Sequence, residues 1–331
     1  MEDEKAGDPT GVGLNWLRRT PDKIAAELSS LDIEVTGKTV GKILKQMKFS
    51  LRSNSKKISN GGRKLTPLQL AEREEQFQYI KRQRREFEKN GNPIISIDTK
   101  SKELVGNFKN PGTRYKKEAD LTNDHDFVHY GVGRAIPGGI YDRARNEGFV
   151  YVGQSLWDKK RKGFDSTETA EFVTENIYKW WKTYGQSRYP KSRKILILAD
   201  SGGANGYRCR MWKYKLHELL CNRCNLELVI AHYPSGASKW NPIEHRLFSE
   251  ISKNWRGVPL RTFEIVLNYI KTTKTKTGLA VKSQLVTKKY KKGMKVPKED
   301  FAKINIKPKR ILPKWNYSLH KGEKSCQIFS S

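Results

Sequence analysis

The chain has 331 residues, with 65 Lys+Arg against 35 Asp+Glu and a formal net charge of +30. That length can hold one good core plus a smaller domain, and the cation excess is the footprint of a polyanion partner, nucleic acid being the usual one. No apolar run approaches the roughly 20 residues that span a bilayer. The acidic start, Met-Glu-Asp-Glu-Lys, has no apolar signal segment, so the expectation is a cytoplasmic protein with no membrane partner.

Residues 1–60 read as a small all-α segment. Thr20-Pro21 opens a short amphipathic helix, Ser30 to Glu34 breaks it, and Thr36 or Thr39 caps a second, basic helix through Met47. Two short helices about a turn resemble a helix-turn-helix, with Lys42 and Lys45 as DNA-contacting candidates, although helical hairpins occur in any fold. Phe49 to Lys57 reads as a basic arm. Residues 61–92 hold a connector helix of roughly 67–89, capped by Thr66-Pro67, striped by Leu70, Phe77, Ile80 and Phe87, and ended by Asn90-Gly91.

From 93 the pattern turns to strands. Ile94 to Asp98 is an apolar run ending in an acid. Glu103 to Phe108 follows after a short basic turn, which predicts antiparallel pairing with the first strand. Residues 109–137 read as a polar loop, followed by strands at 139–141 and 149–153. Thr167 is the expected cap of a helix over 168–184 whose stripe (Phe172, Val173, Ile177, Trp180, Trp181, Tyr184) reads as core ahead of a base-stacking platform. Then come a strand at 194–200, a helix at 205–224, a strand at 227–232 and helices at 241–254 and 260–270. A set of strands, then helix, strand, helix, strand, helix is the order of a ribonuclease-H-like α/β fold: a mixed sheet flanked by helices, spanning 93–275. Residues 276–331 show no clear periodic core. They carry 15 Lys+Arg against 3 Asp+Glu, or +12, and read as a basic C-terminal tail, either tracking a nucleic-acid strand or simply solvated.

Three acids stand at expected element ends. Asp98 and Asp200 close apolar strands, and Glu244 lies in the first turn of a helix opened by Asn241-Pro242. Phosphodiester cleavage without a covalent intermediate can use two Mg²⁺ ions about 3.5–4 Å apart, and hard cations need carboxylates. In that reading Asp98 bridges both ions, Asp200 holds one and Glu244 the other, with Mn²⁺ able to substitute. Gly202 and Gly203 would let a backbone approach the site closely. Lys100, Lys102, Lys239, Trp240 and Arg246 are candidate DNA contacts. Asn241 would support the acids, and His245 reads either as a proton relay or as a packing residue. Cys221 and Cys224 form a lone CxxC within an expected helix, a pattern of packing thiols more than of zinc. Asp200-Ser-Gly-Gly-Ala-Asn-Gly lacks the Gly-Lys-Ser/Thr of a phosphate loop.

At these residues the chain resembles a known family. The stretches Ser96-Ile-Asp-Thr-Lys-Ser-Lys-Glu-Leu-Val-Gly-Asn-Phe, Ala199-Asp-Ser-Gly-Gly-Ala-Asn-Gly and Ser238-Lys-Trp-Asn-Pro-Ile-Glu-His-Arg-Leu-Phe-Ser are similar to Rhodopirellula-type transposases of bacterial insertion sequences. So are Ile140 to Gly148, Asn254-Trp-Arg-Gly-Val-Pro-Leu and Trp315-Asn-Tyr, and the Asn-Pro-Ile-Glu block is similar to mariner-like DDE transposases. The resemblance implies a metal-dependent DDE transposase with Asp98, Asp200 and Glu244 as catalytic acids. It would cut at element ends and join freed 3′-hydroxyls to target DNA, as a homodimer or larger assembly in the nucleoid, with no small-molecule substrate. It also implies a further DNA-binding helical segment ahead of what is Met1 here. The alternative is a truncated, non-catalytic DNA-binding regulator.

Overall fold

The computed structural model describes residues 5–6, 16–17, 20–47, 49, 65–158, 160, 163–164, 168–237 and 240–322. The chain divides into two compact units, Met1–Ser59 and Asn60–Ser331. In the first, β1 (Lys5–Ala6) pairs antiparallel with β2 (Trp16–Leu17). Two helices follow, α1 (Pro21–Ser29) and α2 (Gly37–Gln46). Thr20 and Thr36 cap them by accepting from the N–H groups of Lys23 and Thr39, and Ile24, Ala25 and Val40 form a small core between them. Lys42 and Lys45 are exposed on α2. The basic arm read at 49–57 lies outside the described residues except for Phe49.

The second unit opens with α3 (Pro67–Lys89), whose cap Thr66 exchanges hydrogen bonds with Gln69. In chain order follow β3 (Ile94–Thr99), β4 (Glu103–Val105), β5 (Gly133–Asp142), β6 (Glu147–Asp158) and β7 (Gly163–Phe164). Next is α4 (Ala170–Trp180), which runs on through a π-helical turn (Trp181–Gly185) into α5 (Gln186–Arg188). β8 (Lys194–Ala199) precedes α6 (Arg210–Leu216), again extended by a π-helical turn, and β9 (Glu227–His232). A π-helical turn at Glu244–Phe248 leads into α7 (Ser249–Asn254), then α8 (Phe263–Lys271). β10 (Ala280–Val286), α9 (Lys298–Ala302), β11 (Asn305–Pro308) and β12 (Asn316–His320) complete the unit.

The main sheet runs β10-β6-β5-β3-β8-β9-β12-β11. β3, β8 and β9 are parallel to one another, while β5 is antiparallel to both β3 and β6. That central order, with one reversed strand, is the ribonuclease-H-like arrangement expected from the element order. Alternation along β3 assigns its side chains to two faces. Ile95 and Ile97 join Ile195, Ile197, Phe172, Ile177, Trp180 and Trp212 under α4 and α6. Ile94 joins Leu196, Leu198, Tyr79, Ile80 and Phe87 under α3. The β5–β6 half of that second face is covered by Ile243, Leu247, Phe248 and Ile251 and by Phe263 and Val266 of α8. The aromatic stripe of α4 is therefore core. Cys221 is buried in the same cluster, and Cys224 Sγ donates to the Leu219 carbonyl at 3.5 Å.

Several local expectations are corrected. β4 pairs with β5, not β3, because β5 begins at Gly133 inside the stretch read as loop. Its Gly133, Pro137, Gly138 and Gly139 mimic turn composition, while Gly138 and Gly139 leave room for Phe172 and Phe248 to press on the sheet. The helix cap near 167 is Thr169, which accepts from Phe172 N–H at 3.2 Å; Thr167 lies outside the described residues. On α3 Ile80 and Phe87 are buried as read, Tyr79 joins them, Phe77 is only partly buried, and Leu70 is exposed. The helix after Asp200 starts at Arg210, preceded by a tight turn at Gly203–Asn205. Residues 276–322 are no free tail: β10 adds a parallel strand beside β6, and β12 and β11 extend the sheet beyond β9. β12 escapes the hydrophobic pattern because its buried positions include Asn316 and Ser318, satisfied by hydrogen bonds instead of apolar contact.

Candidate active site

Asp98 sits near the carboxyl end of β3 and Asp200 immediately after the neighbouring parallel strand β8. Glu244 opens the helical turn that packs across the same face. The structure brings all three together. Burial first, then the Asp200 carboxylate, then that of Glu244, which also hydrogen-bonds to it, push the Asp98 carboxyl up to about 8. Burial and Glu244 push Asp200 up to about 6, against a hydrogen bond from Asn241. Asp98 and Asp200, crowded in this way, hold protons towards the neutral range unless a cation takes their place.

Each aspartate is fixed by a backbone or amide donor. The Thr99 N–H donates to Asp98 Oδ1 at 2.7 Å. Asn241 is fully buried; its Nδ2 reaches Asp200 Oδ1 at 3.3 Å and the Ile97 carbonyl at 3.2 Å. The Ser96 hydroxyl donates to Asn241 Oδ1 and accepts from the Ile243 N–H at 3.2 Å. Ser96 lies on the same face of β3 as Asp98 by alternation, so it ties the start of the Glu244 helix to the strand that carries Asp98. Ser96 is not among the site residues read from the sequence. The signal that could have found it is a lone polar residue in the run Ile94-Ile95-Ser96-Ile97, on the face that must meet Asn241.

A second support lies under Asp200. The Asp200 backbone carbonyl accepts from His232 Nδ1 at 2.8 Å, while His232 Nε2 is 3.0 Å from the Tyr317 hydroxyl, which also accepts from Trp212 Nε1 at 3.1 Å. This chain fixes the tautomer: Nδ1 carries the proton and Nε2 accepts. Burial pulls the His232 imidazole down to about 4, so it stays neutral. The Ser201 hydroxyl donates to the Tyr233 carbonyl.

The other predicted site residues divide. Gly203 turns the chain after Asp200 at φ +71°, and neither Gly202 nor Gly203 has crowding around a would-be Cβ. Trp240 is 56% exposed, set edge-on to Phe77 at 6.0 Å. His245 and Arg246 are exposed. Lys102 is partly open and pairs with Glu168 at 2.8 Å. Lys100 corrects the expectation of a DNA-facing lysine: it is only 8% exposed, pairs with Glu103 and lies 4.8 Å over the Trp255 ring, so its charge is consumed internally. Lys239 lies outside the described residues.

The donor set is all oxygen, which fits a hard divalent cation. Among the described residues no three His, Cys, Asp or Glu side chains close around one point to hold a single ion. Ions held by two carboxylates each do not require such a trio, and Mg²⁺ is commonly bound by one or two carboxylates with water and phosphate completing its shell.

Solved structures with a similar arrangement include a Mos1 transposase paired-end complex with left transposon end, at a TM-score of 0.43 and 14% identity, covering 76% of this chain and 65% of that one. A pre-cleavage Mos1 transpososome matches at a TM-score of 0.44 and 13% identity, covering 76% and 66%. The chain thus spans about two thirds or slightly less of the length of these structures. No curated protein matches the sequence. Among the described residues no helix is long and apolar enough to cross a membrane. The family model described as the Rhodopirellula transposase DDE domain matches residues 1–321, and the chain belongs to that family.

Proposed function

We propose that the protein is a metal-dependent DDE transposase that cuts DNA at the ends of an insertion sequence and joins the freed 3′-hydroxyls to target DNA, working as a homodimer or larger assembly on that DNA. The observation that carries this reading is the convergence of Asp98, Asp200 and Glu244 at one end of the parallel strands, crowded enough to raise the first two carboxyls. Family membership agrees with it. These three residues would hold Mg²⁺, or Mn²⁺ in its place. When bound, the metal supplies Lewis-acid activation of the attacking oxygen and stabilisation of the leaving 3′-oxygen.

The chain's own residues position that chemistry. Thr99 N–H and Asn241 Nδ2 each engage an Oδ1 atom, which orients the Asp98 and Asp200 carboxylates. Ser96 sets the Glu244 helix against β3, and His232 fixes the backbone at Asp200. The formal charge of +30 supports a DNA substrate through phosphate neutralisation.

The test is cleavage of a duplex bearing the element end, with Mg²⁺ or Mn²⁺ and with EDTA, for wild type and Asp200→Asn. Metal-dependent nicking that the variant loses supports the enzyme. Binding without nicking in the wild type supports the alternative, a non-catalytic DNA-binding regulator.

A further inference from the structure

Between α3 and the helix that starts at Pro242 lie two adjoining cavities of about 410 and 740 Å³, within the range of ligand-sized sites. Arg84 and Arg143 line both. Lys81 and Arg85 add charge to the smaller cavity, and Arg246 to the larger. The wall of the smaller one is aromatic: Phe77 stands 6.0 Å from Trp240 and 6.3 Å from Tyr233, centroid to centroid.

Glu88, which also lines the smaller cavity, balances only part of this charge. Arg143 pairs with Glu88, while among the described residues Arg84 and Arg246 have no ion pair. Arg84 Nε is shut off from solvent with no hydrogen-bond partner. Arginines facing one another around a cleft repel unless an anion lies between them, and a bare guanidinium N–H in a closed place is costly. The cleft also begins beside the acids. Tyr233 follows β9, its N–H bound to the Ala199 carbonyl at 2.8 Å, and Trp240 precedes Asn241.

We propose that this cleft is a binding track for single-stranded DNA, with phosphates on Arg84, Arg143 and Arg246 and an unpaired base against Trp240 and Phe77. Aromatic platforms beside a basic groove suit unpaired strands because every base has a stacking face. The arginine fork matches phosphate oxygens. The assignment rests on the reading of the chain as a DNA-cutting enzyme: a strand parted at the acids would be led away along α3.

The test is fluorescence anisotropy of a labelled oligo(dT) 12-mer and of a random duplex, in EDTA, over a salt series. Arg84→Ala with Arg143→Ala should weaken oligo(dT) binding at least tenfold. It should also flatten the slope of log K against log salt by about 1.4, since each single-strand phosphate that the protein neutralises adds about 0.7 to that slope. Trp240→Ala should cost about fivefold or more with the slope unchanged. Lys289→Ala with Lys307→Ala removes equal charge elsewhere and should do neither. Arg246→Ala keeps the test open should the double variant fail to fold. Equal losses on duplex and single strand, or a loss no greater than in the control pair, would overturn the proposal. Because these measurements need no metal, a wild type that binds oligo(dT) through the track yet never nicks DNA would refute the cleavage reading alone.

Discussion

The buried amide of Asn241 donates both to Asp200 Oδ1, at 3.3 Å, and to the carbonyl of Ile97, the residue before Asp98, at 3.2 Å. One side chain at the start of the Glu244 helix thus spans the two strands that deliver the aspartates. Asn241→Ala should therefore reduce metal-dependent cleavage by about 10–100-fold, the usual cost of removing a group that orients a metal ligand. It should also lower the melting temperature, since the Ser96 hydroxyl loses a buried partner worth about 1–3 kcal/mol. A variant with full activity would show that Asp200 needs no such support.

Asp98→Asn, Asp200→Asn and Glu244→Gln should each lower cleavage more than 100-fold, beyond the range for a supporting residue. DNA affinity should stay within about threefold, because removing an acid adds no unfavourable contact to a polyanion. Cleavage assays and anisotropy on the same samples separate the two effects. Retained cleavage in any one of the three would remove that acid from the site.

The crowded carboxyls carry a pH signature in metal-free protein. Asp98, raised to about 8 in the fold, stays protonated over a range in which the unfolded chain has ionised it, above about pH 4. The folded state then binds more protons than the unfolded one, so stability falls as pH rises from about 4 to about 8. Asp200 adds to the fall up to about pH 6. Melting in EDTA should show a drop of a few degrees across that window, and Asp98→Asn should flatten it. Millimolar Mg²⁺ should raise the wild-type melting temperature more at pH 8 than at pH 6, since the ion then displaces fewer protons.

Gln76 on α3 and Asn316 on β12 exchange amide hydrogen bonds at 2.7 and 2.6 Å, and Gln76 also donates to the His232 carbonyl at 2.8 Å. Either residue changed to Ala leaves buried amide groups unpaired, at about 1–3 kcal/mol. The double variant should cost less than the sum of the singles, with a coupling of about 0.5 kcal/mol or more. Urea titrations of the four proteins measure it, and strict additivity would mean that the pair does not act as a unit.

What can be read from the sequence follows from how each element is stabilised. β3, β8 and β9 are buried on both faces, so they appear as unbroken apolar runs, and the acids at two of their ends stand out against them. Glu244 is legible through the Asn-Pro pair that opens its helix. β5 is half hidden because glycines that admit Phe172 and Phe248 also look like turn residues. Lys100 misleads because a sequence does not reveal that Glu103 and Trp255 absorb its charge. Ser96, His232 and Gln76 work through distant partners, 156 residues away in the bond from Gln76 to the His232 carbonyl, beyond the reach of any local period.

The position of β12 bears on the order of synthesis. All three acids have been translated by residue 244, but the hydroxyl that holds His232 beneath Asp200 belongs to Tyr317. A nascent chain emerges amino end first, so its acids leave the ribosome before the strand that steadies them. A product released early, before residue 316, would carry every acid of the site and lack the brace under Asp200. The support beneath Asp200 would in this way be completed only after residue 317 has been made.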